Sequence, residues 1–102
     1  MRIITSTEEF DTVIKENEKV FVDFYADWCG PCKMLAPIVE GLAVKHPETT
    51  FIKVNIDETP DLAERYGVMS IPTLIVFKNG EAVQGTVGYQ PEAGLEAMLQ
   101  KA

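Results

Sequence analysis

The stretch Val20-Phe21-Val22-Asp23-Phe24-Tyr25-Ala26 constrains the fold more than any other. It is a near-continuous apolar run rich in aromatic and β-branched residues, the composition of a central strand covered on both faces. Such a strand needs a layer of helices above its sheet and another below. The flanking sequence supplies helices at the required intervals.

Arg2 to Thr5 reads as a short strand. Ser6 with Glu9 three residues later forms a capping box, and Phe10, Val13 and Ile14 follow at helical spacing, so a first helix is expected to about Asn17. Beyond Cys29 a second helix carries Leu35, Ile38, Val39, Leu42 and Ala43, ends near His46-Pro47, and should kink at Pro37. Phe51 to Ile56 is a strand, and Asp57 to Tyr66 holds a short helix that Gly67 can close in a left-handed cap. Thr73 to Phe77 and Ala82 to Val87 flank Asn79-Gly80, the strongest short hairpin signal, and must be antiparallel neighbours. Pro91 opens a last helix whose buried stripe is Leu95, Met98 and Leu99. The expected fold is α/β, a central mixed sheet of five strands flanked by four helices in the order β-α-β-α-β-α-β-β-α.

The 102 residues, 46% hydrophobic and 25% charged, suit one globular domain spanning residues 1–102, without repeats, low-complexity stretches or linkers. A chain this long should bury roughly two thirds of the surface its unfolded form exposes, enough to fold without staples. No apolar run approaches the roughly 18 residues of a spanning helix. A net charge of -7 argues against nucleic acid and anionic membranes as partners. No phosphate-binding glycine fingerprint occurs. The opening Met1-Arg2-Ile3-Ile4-Thr5-Ser6, followed by Glu8-Glu9, does not resemble a signal peptide, so the expected compartment is the reducing cytoplasm. A cysteine pair there is more often catalytic or metal-binding than structural.

That pair lies in Trp28-Cys29-Gly30-Pro31-Cys32, where the central strand ends and the second helix begins. At a helix N-terminus, unpaired N–H groups and the positive end of the dipole favour a thiolate, the attacking species, which makes Cys29 the expected nucleophile. Cys32 follows on the same helical face, where side chains stand about 5–6 Å apart at Cβ, and can resolve a mixed disulfide. Pro31 fits a first turn because its missing N–H has no intrahelical partner there, and Gly30 leaves room for a partner's backbone. As a mere staple the pair would add only about 2 kcal/mol. A metal site needs about four ligands, whereas the chain holds two cysteines and one histidine, His46, at the far end of the helix, so no metal is assigned. His46 is expected at the surface beside a helix C-terminus. Asp23 interrupts the apolar run and must find a partner or a proton. Lys53, on the strand expected beside it, is the candidate partner, either in a structural ion pair or in a functional one.

Val22-Asp23-Phe24-Tyr25-Ala26-Asp27-Trp28-Cys29-Gly30-Pro31-Cys32-Lys33 resembles the active-site strand and loop of thioredoxins, and the resemblance continues through Lys53-Val54-Asn55-Ile56-Asp57, Ile71-Pro72-Thr73, Phe77-Lys78-Asn79-Gly80 and Val87-Gly88. It implies a thioredoxin fold and a protein disulfide reductase that needs no bound cofactor, acts on disulfide-bearing proteins, is recycled by a thioredoxin reductase and works as a monomer. It further implies that Asp23 relays a proton to Cys32 under the influence of Lys53. It places the Ile71-Pro72 bond in cis opposite the cysteines, although X-Pro sequences alone disfavour cis. The preceding backbone would then receive a substrate strand. Trp28, Gly30, Pro31, Ile71, Pro72, Val87 and Gly88 would form a docking rim, with core packing as the alternative for Trp28. Tyr25 stands where the family often has tryptophan, and Tyr89 where smaller residues are frequent. Two other functions fit the same residues: an oxidant or isomerase, which Gly30-Pro31 disfavours in this superfamily, and a non-catalytic docking protein.

Overall fold

In the computed structural model, which describes residues 1–102, the elements follow the expected order. They are β1 (Arg2–Ile4), α1 (Thr7–Glu16), β2 (Lys19–Tyr25), α2 (Gly30–Lys45), β3 (Thr50–Asn55), α3 (Pro60–Arg65), β4 (Thr73–Lys78), β5 (Glu81–Val87) and α4 (Glu92–Lys101). The five strands form a single sheet in the order β1-β3-β2-β4-β5. β1, β3 and β2 run parallel, β4 is antiparallel to β2, and β5 is antiparallel to β4. The apolar run therefore occupies the middle of the sheet.

Local chemistry explains most of the boundaries. Ser6 Oγ accepts the Glu9 N–H at 3.1 Å, as a capping serine should. The reciprocal half of the capping box differs from expectation, because the Glu9 carboxylate accepts the Thr5 N–H at 2.9 Å rather than that of Ser6. Arg2 on β1, 2.7 Å from the same carboxylate, draws it toward the sheet edge. α3 is shorter than its sequence window and closes in a Schellman motif: Gly67 at φ +65 donates to the Glu64 carbonyl at 3.2 Å, and Val68 donates to Ala63 at 2.8 Å. Asn79 and Gly80 both have positive φ, 52 and 83, which is the type I′ geometry that matches strand twist. β5 carries one feature the pattern did not foretell. Its register jumps from Val76↔Gln84 to Phe77↔Ala82, so Val83 is an extra, bulged residue. α2 continues through Pro37, whose ring is on the exposed side.

Side-chain alternation along β2 divides the core in two. Val20, Val22 and Phe24 join Phe10, Val13 and Ile14 of α1 and Leu62 of α3 on one face. Phe21 joins Leu35, Val39 and Leu42 of α2 and Leu95, Met98 and Leu99 of α4 on the other. Asp23, two residues from Phe21, is thereby assigned to the α2 side of the sheet.

Phe10 has no exposed surface and meets the Tyr66 and Phe77 rings at centroid distances of 5.6 and 5.7 Å. Phe10→Ala should therefore cost about 3–5 kcal/mol, read as a lower denaturation midpoint with little change in the slope.

Candidate active site

After β2 the chain passes buried Ala26 and exposed Asp27 and Trp28 before α2 begins. Cys29 is the N-cap of α2, and its Sγ accepts the Cys32 N–H at 3.2 Å. The cysteines are joined as a disulfide with Cα atoms 5.3 Å apart, a separation that such a bridge accommodates. Once the bridge is reduced, the Cys32 N–H and the helix dipole both stabilise negative charge on Cys29. Gly30 and Pro31 occupy the first turn, and both are exposed. A Cβ built on Gly30 would meet nothing within 4 Å, so the openness of this position serves the exterior and not the packing of the chain itself.

Both cysteines are almost covered, Cys29 at 4% and Cys32 at 6% exposure, so the surrounding groups form the outer surface. Ile71 packs against the Ala26, Cys29 and Cys32 cluster, and its carbonyl oxygen lies 3.8 Å from Cys29 Sγ. The Ile71-Pro72 peptide bond is cis. Ile71 makes no backbone hydrogen bond, leaving its N–H and C=O beside the sulfur free to pair outward. Gly88, at φ +91, donates to the Pro72 carbonyl at 2.7 Å and ties the end of β5 to this loop. Val87 is 59% exposed and Trp28 69% exposed. The Trp28 ring therefore does not pack in the core, and its indole N–H donates to Asp57 Oδ2 at 2.9 Å. Asp57 was not singled out from sequence, since nothing in its local pattern reports a contact across 29 positions.

Asp23 is buried at 2% exposure, and its Oδ1 has no hydrogen-bond partner. Burial pushes its pKa from 3.8 up to about 6, with the Lys53 charge acting in the opposite, weaker sense. Lys53 is the Cα partner of Asp23 across the β2–β3 ladder, as the sequence suggested, but the two do not form an ion pair. The ammonium sits over the Tyr25 ring instead, 4.2 Å from its centroid. Tyr25, Cys32, Lys33 and Lys53 line a cleft of about 130 Å³ that opens beside the disulfide. In the sequence Tyr25 stands out only as a departure from the family, although its i+2 spacing from Asp23 puts both on one face of β2.

His46 caps α2 at its C-terminus, remote in sequence from the cysteines as expected, but it is not freely exposed. Its ring is held by Glu96 at 2.8 Å and Glu48 at 3.1 Å, and the hydrogen bond to Glu96 chiefly raises its pKa above 6.5.

The chain matches the family profile described as Thioredoxin over residues 2–101. It is 48% identical over 103 residues to a thioredoxin of Staphylococcus epidermidis, covering 99% of this chain and 98% of that one. It is likewise 48% identical over 91 residues to a thioredoxin of Alicyclobacillus acidocaldarius, covering 88% and 87%. The solved thioredoxin of Plasmodium falciparum superposes with a TM-score of 0.94 at 40% identity, covering 99% and 98% of the two chains.

Because the pKa of Asp23 is higher folded than unfolded, the folded state binds more protons between pH 4 and 6, and stability falls as pH rises through that window. The rise from 3.8 to about 6 corresponds to about 3 kcal/mol at pH 8. Asp23→Asn should recover roughly 2–3 kcal/mol at pH 8 and little at pH 4, read as the difference between wild-type and variant denaturation curves at the two pH values.

Proposed function

Since the chain belongs to the thioredoxin family of thiol–disulfide oxidoreductases, we propose that it is a single-domain, monomeric protein disulfide reductase in which Cys29 attacks and Cys32 resolves. The observation that carries this division of labour is the N-cap position of Cys29, where its sulfur accepts the Cys32 N–H. The Cys29 thiolate attacks one sulfur of a target disulfide, forming a mixed disulfide and releasing the other target sulfur as a thiolate. Cys32 then gives up its proton and attacks Cys29 Sγ, closing the internal disulfide and releasing the second target thiolate. The target gains two electrons, and the protein's dithiol loses them. Asp23 is the group that takes the Cys32 proton. A buried carboxyl with a pKa near 6 is ionised at neutral pH yet more basic than an ordinary aspartate.

Docking is assigned to the rim of Trp28, Gly30, Pro31, Ile71, Pro72, Val87 and Gly88. The unpaired backbone of Ile71 supports strand addition by the target, and exposed Trp28 and Val87 supply apolar contact on either side. A thioredoxin reductase returns the pair to the dithiol, and the working compartment is the reducing cytoplasm. No helix is long and apolar enough to cross a membrane.

Cys32→Ser should accumulate a mixed disulfide through Cys29 with a disulfide-bearing protein substrate, seen as a mass increase that dithiothreitol removes, while Cys29→Ser forms none. Free turnover by Cys32→Ser would refute the assignment of the resolving thiol. Equilibration with glutathione, followed through Trp28 fluorescence, should give a potential below that of the glutathione couple; a value above it would make the protein an oxidant.

A further inference from the structure

Asp23, Tyr25 and Lys53 project from one face of the sheet, the face that α2 covers. Asp23 and Tyr25 are two residues apart on β2, and Lys53 is the direct neighbour of Asp23 on β3. An ammonium on a flexible stem here has two attractive positions, against the adjacent carboxylate or against the aromatic face one diagonal step along the ladder. It takes the ring, 4.2 Å from the centroid, and the Asp23 carboxylate is left with an unpartnered, buried oxygen. The register would allow the ion pair, and the ammonium lies over the ring instead.

We propose that Tyr25 is a positioning residue that seats the Lys53 ammonium away from Asp23 and so keeps the carboxylate basic enough to accept the Cys32 proton in the resolving step. The proposal rests on the reading of Asp23 as that acceptor. The cleft lined by Tyr25, Cys32 and Lys53 brings the resolving cysteine, the ring and the lysine together in one place. Asp27 after β2, Glu58 after β3 and Lys33 on α2 are the other charged groups facing this region. All three are unaltered in the variants below, so differences among those variants report on the ring.

Without the ring, Lys53 is free to swing onto Asp23, and a close opposite charge lowers a carboxyl pKa. The Asp23 titration midpoint in Tyr25→Leu should fall by about one pH unit, and its weaker base should slow resolution of the mixed disulfide about threefold. Tyr25→Phe keeps the ring face and should retain the wild-type midpoint. The direct measurement is a carbon-13 NMR titration of the Asp23 carboxyl in the folded disulfide form of wild type, Tyr25→Phe and Tyr25→Leu, each with Lys53 and with Lys53→Met. A midpoint that falls in Tyr25→Leu only when Lys53 is present supports the proposal. A midpoint unmoved by Tyr25→Leu overturns it, and so does an equal fall in the Lys53→Met background, which would mean the ring acts through burial alone. Stopped-flow resolution by Asp23→Asn tests the underlying reading separately. A wild-type rate there would end the assignment of Asp23 as proton acceptor and the catalytic half of this proposal, while the titrations still decide whether the ring seats the ammonium.

Discussion

β2 is hydrogen bonded to neighbours on both edges and covered by helices on both faces, so its interior side chains have no route to water. Its alternation assigns Val20, Val22 and Phe24 to the α1 and α3 core and Phe21 to the α2 and α4 core. A slip of one residue would exchange the two sets and send Asp23 into the aromatic cluster around Phe10 and Phe77. Both cores and the position of the one buried acid thus depend on a single register. The carboxylate is held there at a cost, with an unpartnered oxygen and a pKa that burial pushes up to about 6.

The site assembles where three separate pieces of chain stop. β2 ends and hands over to the N-terminus of α2, which supplies the Cys32 N–H to Cys29. The loop before β4 brings Ile71 to the sulfur, and the end of β5 is fastened to that loop by Gly88. Charge stabilisation therefore comes from the helix, whereas the exposed backbone and apolar surface come from the loops.

Element types and order were legible because each rests on a local signal: Ser6 before a helical stripe, Gly67 after one, Asn79-Gly80 between two strands, and an unbroken apolar run for the centre of the sheet. The cysteines were legible from their spacing at a strand-to-helix junction, and Asp23 because a carboxylate interrupts an apolar run. What escaped detection was every choice a side chain makes between two available partners. Glu9 prefers the Thr5 N–H once Arg2 lies alongside, Lys53 prefers a ring to the carboxylate opposite it, and the exposed Trp28 indole donates to Asp57. His46 is pinned by two glutamates, one of them 50 positions away. The bulge at Val83 was equally hidden, since an extra residue in a strand leaves no mark on a two-residue period until its neighbour's register is known.

That bulge bears on what the edges of the sheet offer to a second chain. A surface that leaves backbone unpaired, as at Ile71, and apolar side chains exposed, as at Trp28 and Val87, can also attract other copies of the chain. One edge of the sheet is β1, only three residues long. The other is β5, longer but interrupted at Val83, where the extra residue breaks the regular row of outward donors and acceptors. Neither edge is a good template for adding a strand. The unpaired backbone at Ile71, whose carbonyl oxygen lies 3.8 Å from Cys29 Sγ, is thus a more inviting place for another chain to lie than either edge of the sheet.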